Sequence, residues 1–229
     1  KTPPPANAAA GAATAPMLLN IARIRVRDST LVYTDHEAGS RYELAGIALD
    51  GEDINMDGRP FRLEGGATLT LGAERRELKI ALELPAAAID LNARTLAVPA
   101  LKLAASGMEL DAAVNADWSQ PGAATASGTL DLKKLDLPAL LQTLGTALPP
   151  AVNAAPLADI TLGSRFAWAG DTLTLDELKL RAGSFSGAGS VKLGLGGATR
   201  IEATISSPEL DLDYFLAPPQ APPVAATAA

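Results

Sequence analysis

The chain has 229 residues, 48% hydrophobic but only 4% aromatic, with a formal net charge of −7. That length and apolar content suffice for one sizeable all-β domain, while the acidic balance argues against a nucleic-acid partner, whose phosphates demand clustered Lys and Arg. Cysteine is absent, which excludes disulfide frameworks, thiolate metal sites and Cys nucleophiles.

Residues 1–16 and 218–229 are rich in Pro and Ala and read as linkers or disordered tails. The chain opens at Lys1 with no charged-then-apolar leader. No run approaches the ~20 apolar residues of a spanning helix. The expectation is a piece of a longer protein whose anchor or signal lies outside it. Residues 17–217 form the predicted domain, with sub-repeats at about 17–145 and 157–217.

Within it, strand candidates follow closely. Ile24 and Val26 alternate with Arg23, Arg25 and Arg27; a turn is expected at Asp28-Ser29, then Leu31 and Tyr33, and residues 42–49 return. Residues 61–71 place Phe61, Leu63, Leu69 and Leu71 on one face, and Leu78, Ile80, Leu82 and Leu84 alternate with charged or small residues. Ile89 and Leu91, Leu101 and Leu103, then Leu110 and Val114 within 108–118 continue the pattern. Such period-2 alternation predicts half-buried antiparallel strands joined by hairpins.

Two copies of one module punctuate the chain. In the first, the strand Gly128-Thr129-Leu130-Asp131-Leu132 leads through Leu135-Asp136-Leu137 into a predicted helix near 136–145. Asp136 suits the N-cap, Pro138 the first turn and Gly145 the C-terminal stop. A Pro-broken connection at 146–156 precedes further strands carrying Leu173, Leu175, Val191, Leu193, Ile201 and Ile205. The second copy, Ile205 to Leu216 with its step Leu210-Asp211-Leu212, predicts a short helical element near 210–216.

Motifs that imitate chemistry have simpler readings. Asp53, Asn55, Asp57, Gly58 and Glu64 fit the spacing of a calcium loop, but the flanks read as strands and Asp57-Gly58 as a hairpin turn. His36, the single histidine, sits between Asp35 and Glu37 in a polar turn; a metal site would need more ligands. Gly183-Ser184-Phe185-Ser186-Gly187 has Phe where a nucleophile elbow needs Ser. Gly187-Ala188-Gly189-Ser190-Val191-Lys192 lacks the third Gly of a dinucleotide loop. Asp131, Asp136, Asp211 and Asp213 are expected to cap strand ends and helix starts. No catalytic, cofactor or metal constellation is predicted, and the chain reads as a non-enzyme.

The phrases "LNIARIRVRDSTLVYTD", "YELAGIALDG", "DGRPFRLEGGATL", "SGTLDLKKLDLPALLQTLG", "GDTLTLDELKLRAGSFSGAGSVKL" and "SPELDLDYFL", in this order, resemble the AsmA family of bacterial envelope proteins over residues 17–217. The resemblance implies the periplasmic part of a Gram-negative protein anchored in the inner membrane by a helix outside this chain. It also implies similarity to bridge-like lipid transfer proteins, whose repeating β-grooves carry phospholipid acyl chains, and a role in outer-membrane lipid homeostasis, with other envelope proteins as possible partners.

The residues alone leave two folds open. One is a twisted antiparallel sheet curled into an open half-pipe; the other is a closed β-sandwich serving as a scaffold or assembly factor for outer-membrane proteins. With the resemblance, the expectation is the half-pipe. Its groove would be lined by Phe61, Leu63, Leu69, Leu71, Leu78, Ile80, Leu82 and Leu84, then Leu110, Val114, Leu173 and Leu175, and finally Val191, Leu193, Ile201 and Ile205. The row Arg23, Arg25 and Arg27 would meet lipid headgroups or form a solvated outer face.

Overall fold

Eleven strands form one antiparallel sheet in strict chain order in the computed structural model, which describes residues 19–35, 40–71, 74–197, 199–209, 211 and 213–216. They are β1 (Asn20–Asp35), β2 (Ser40–Asn55), β3 (Phe61–Leu71), β4 (Arg76–Asp90), β5 (Thr95–Ala105), β6 (Met108–Asp117) and β7 (Thr125–Leu135). After the helix α1 (Leu137–Leu144) come β8 (Ile160–Ala169), β9 (Thr172–Ala182), β10 (Phe185–Gly194) and β11 (Arg200–Ser206). The sheet stays open, with β1 and β11 as its free edges. The first module interrupts the chain but not the sheet, because β7 pairs directly with β8. Both terminal tails, His36, Leu210 and Leu212 lie outside the described residues.

The local rules hold at the helix. The Asp136 carboxylate accepts the Ala139 N–H at 2.9 Å, Pro138 sits in the first turn, and Gly145 closes α1 in the left-handed region at φ +82°. Two 3-10 turns, Ala155–Ala158 and Asp213–Phe215, complete the helical content among the described residues. The first of these begins at the end of the Pro-broken connection 146–156 and runs past it toward β8.

The strands are longer than the alternation suggested, for one reason. The apolar parity slips by a residue in β1 (Ile24, Val26, then Leu31, Tyr33), β2 (Leu44, then Ile47, Leu49), β4 (Leu82, Leu84, then Ala87, Ile89), β5 (Leu96, Val98, then Leu101, Leu103), β7 (Leu130, Leu132, then Leu135) and β9 (Leu173, Leu175, then Leu178, Leu180). At every slip the ladder register shifts. These are β-bulges: the extra residue rotates the following side chains back to the original face and bends the strand. Three of the strands carry a residue at positive φ there, Asp28 at +48°, Gly46 at +60° and Glu177 at +52°. Pro85 and Pro99, which cannot donate to a ladder, occupy the bulges of β4 and β5. Asp28-Ser29, expected to be a turn, is thus a bulge inside β1, and Leu91 lies in the β4–β5 turn, not in a strand.

No second layer covers the sheet among the described residues. Only Ala87, Val98, Leu178 and Ala182 are buried hydrophobic residues, so the closed sandwich gives way to a single curved layer.

Candidate functional site: an unroofed apolar trough

Directly paired residues of antiparallel strands share a face, so the registers trace the wall. One row runs Val26, Leu49, Gly65, Leu82, Leu103, Leu110, Leu132, Leu162, Leu180 and Gly187, each opposite the next, from β1 to β10. At about 4.8 Å per strand it extends roughly 40 Å across the sheet. Parallel rows flank it: Leu31, Leu44, Leu69 and Leu78 on one side, and Val98, Val114, Gly128, Phe166, Leu175 and Val191 on the other.

The lining residues expected from sequence join this face. Leu63 pairs with Leu84, Leu69 with Leu78, and Ile80 stands opposite Ala67. Phe61 pairs with Ala87, and Leu71 reaches the rim opposite Arg76. Leu173 pairs with Trp168 and Leu193, while Ile201 and Ile205 of β11 extend the face opposite Leu193 and Gly189. Ile201 is the barest of them, at 66% exposure. The sequence reading missed Val26, Leu49, Leu132, Leu162, Phe166, Trp168 and Leu180. Alternation followed through each parity slip would have found them.

This face is the inner side of the curl. All four buried hydrophobic residues, Ala87, Val98, Leu178 and Ala182, lie on it, whereas Ala81, Ala104 and Ala167 on the other face are exposed. Glycines agree. A Cβ at Gly128 would overlap the Ala113 carbonyl and one at Gly189 the Thr204 carbonyl, because neighbouring strands fold up on that side. At Gly163, on the opposite face, a Cβ would meet nothing within 4 Å.

The outer face is a ladder of charge. Arg25, Asp50, Glu64, Glu83, Lys102, Asp111 and Asp131 pair in sequence across β1 to β7. Lys102 Nζ lies 3.3 Å from Glu83, and Lys133 bridges Asp131 and Asp111. Asp131 is therefore an ion-pair partner, not a cap. Arg23 and Arg25 share Asp50, at 3.3 and 2.8 Å, and Arg23 also reaches Glu52. The arginine row thus sits opposite the trough wall with carboxylates already beside it. Hydrogen bonding from Arg25 above all holds the Asp50 carboxyl below the usual aspartate range. A depression of about 1050 Å³ is lined by Gly163, Ala188, Arg165, Lys179 and Arg181 of the polar face together with Leu162, Leu180 and Gly187 of the wall row.

One rim is built up. The Asp136 N–H donates to Gly107 O at 2.7 Å, setting α1 beside the β5–β6 turn, and α1 packs on β4 and the Ala155–Ala158 turn. Asn153 ties in the second module: its N–H donates to Phe215 O and its Nδ2 to Tyr214 O, both at 2.9 Å. Phe185, where an elbow would need Ser, packs edge-on against Phe215 at 5.6 Å.

The calcium-loop residues are committed to a turn. Asn55, 1% exposed, donates to Asp53 O, and its Oδ1 accepts the Asp57 and Arg59 N–H groups. Asp57 pairs with Arg59, and Glu64 pairs with Arg62 in β3. Among the described residues no group of three or more His, Cys, Asp or Glu converges as a metal site. No helix there is long and apolar enough to cross a membrane.

No known family's model matches this chain, and neither a curated protein nor a solved structure does.

Proposed function

We propose that this chain binds or conducts phospholipid by laying acyl chains along the trough, as the periplasmic part of an inner-membrane-anchored, AsmA-like envelope protein. One observation carries the reading: an apolar face spans the sheet from β1 to β11, and only four hydrophobic residues among those described are buried. A sheet that exposes so much aliphatic surface needs an occupant, since soluble proteins seldom leave large contiguous apolar patches bare. Acyl chains fit the demand. Each buried CH₂ contributes about 0.8 kcal/mol without any directional contact, which accords with a wall of Leu, Ile, Val and Ala. Non-specific retention along a row also lets the lipid slide, whereas a polar site would trap it.

A scaffold role is the second reading, favoured by β11. All seven of its residues are exposed and its outer edge has no partner strand among the described residues, leaving it ready to add a strand from another envelope protein. Native mass spectrometry of the chain purified from bacterial cells separates the two. Co-purified phospholipid supports carriage; a bare mass, with no uptake from added vesicles, favours the scaffold.

A further inference from the structure

We propose that β11 is a dimer interface: the β11 strands of two copies pair antiparallel about a two-fold axis centred on Ala203 and join two troughs into one. Sheet edges invite pairing unless bulges, charge or proline blunt them, and the two edges of this sheet differ in that respect. β1 is blunted. Its ladder slips between Val26 and Ser29 and again before Leu31, Asp28 stands at φ +48°, and Arg23, Arg25 and Arg27 line its outer side. β11 is not. Its seven residues hold one unbroken register with β10, include no proline, and carry one cation, Arg200, bonded to Glu202 at 2.8 Å. No strand among the described residues takes its outer edge. Past Pro208 the chain turns back over the end of the sheet, where the Tyr214 hydroxyl accepts the Ser184 N–H and Leu216 bridges Val152.

The pattern of β11 is self-complementary. Ile201, Ala203 and Ile205 lie on its trough side, opposite Leu193, Val191 and Gly189 of β10, while Arg200, Glu202, Thr204 and Ser206 lie on its outer side. A two-fold axis normal to the sheet keeps both trough faces on the same side, and directly opposed residues then share a face. Centred on Ala203, all seven residues overlap. Ile201 stands opposite Ile205 of the second copy, Arg200 opposite Ser206, and Glu202 opposite Thr204. A shift toward Glu202 sets carboxylate against carboxylate, and a shift toward Thr204 loses both Ile–Ile pairs. Ile201 and Ile205 are 66% and 49% exposed, with a neighbouring strand on one side only; the second copy supplies the other.

Other pairings of the same edges are poorer. Two β1 strands would oppose arginine to arginine, and β1 laid against β11 would leave free edges that keep adding copies. The β11 pair closes. Its trough runs continuously across both copies, about 100 Å at the usual strand spacing. Seven residues of ladder bury less than the roughly 1,200–2,000 Å² of a standard interface, so the dimer forms reversibly with concentration. The interface stands whether or not the trough holds lipid.

Sedimentation velocity of the whole chain over a wide concentration range should show monomer and dimer in exchange. Ile201→Lys with Ile205→Lys should weaken association at least about tenfold, and Ile201→Lys with Ile205→Glu, which opposes unlike charges across the axis, should restore it. Circular dichroism should match wild type for both, since these side chains are exposed. The chain has no cysteine, so one introduced thiol reads the register even if those variants misfold. Ala203→Cys lies on the axis and should form an intermolecular disulfide on mild oxidation; Ile201→Cys, roughly 13 Å from its own counterpart, should not. Leu82→Asp should remain dimeric while losing co-purified lipid, so that the interface and the lipid reading fail separately. A chain that stays monomeric, assemblies that grow past the dimer, or a folded double-lysine variant that associates like wild type would each overturn the proposal. So would a folded lysine–glutamate variant that stays monomeric, equal cross-linking of the two cysteine variants, or a monomeric Leu82→Asp chain.

Discussion

Glu177 pairs with Arg165 across the β8–β9 ladder at the residue where β9 takes in its extra position, with Glu177 at φ +52°. The bulge keeps Leu173 and Leu175 on the same face as Leu178 and Leu180. Deleting Glu177 should turn one Leu pair out of the trough, lower Tm by at least several degrees and broaden the melt. Glu177→Gly, which accepts positive φ freely, should melt close to wild type. Equal losses from the two changes would mean that the ion pair matters and the bulge does not.

Leu82 stands between Gly65 and Leu103 in the longest apolar row, half-buried and open to whatever fills the trough. Leu82→Asp should leave the chain folded by circular dichroism yet sharply reduce co-purified lipid. A buried carboxylate in a closed core would instead cost several kcal/mol, so an unfolded variant would contradict the unroofed wall.

Two glycines on opposite faces test the direction of the curl. Gly163→Ala meets open space and should be neutral or stabilising by about 0.5 kcal/mol, through a less flexible unfolded chain. Gly128→Ala drives a methyl into the Ala113 carbonyl and the Phe166 ring and should destabilise by about 1–3 kcal/mol. Urea melts of both decide it; a harmless Gly128→Ala would show that the strands do not close up on that side.

Asn55 satisfies the Asp57 and Arg59 N–H groups from a buried position. Asn55→Ala should cost about 1–3 kcal/mol, the penalty for unsatisfied buried donors. Millimolar calcium should leave the wild-type Tm unmoved. A calcium-induced rise of several degrees, abolished by Asp53→Ala, would reinstate the metal loop.

Asp50 is held below its ordinary range, chiefly by its bond from Arg25. A depressed carboxylate stabilises the fold above its unfolded pKa of about 3.9 and loses that contribution as pH falls toward the folded value. Tm should therefore drop as pH is lowered below about 4, and Asp50→Asn should flatten that part of the curve. An unchanged acid profile in the variant would assign the sensitivity to Asp57 and Asp117, whose carboxyls are also lowered.

The sequence by itself determined the class of the fold and much of the wall. Period-2 alternation forces apolar and polar side chains to opposite faces wherever a strand is unbroken, so Leu63 and Leu69 of β3 and Leu78 to Leu84 of β4 were legible, as were Asp136 and Gly145 at the ends of α1, where capping depends on near neighbours. What only the tertiary structure decided was whether that face is roofed, because a closed sandwich and an open curl need the same alternation. It also decided where strands end. A slip such as Leu84 to Ala87 reads locally as a break or turn, and only pairing with β3 and β5 shows that Pro85 sits in a bulge which returns Ala87 to the wall. The link from Asn153 to Tyr214 spans 61 residues, and no local signal could have announced it, since the contact exists only once β8 to β11 have folded between them.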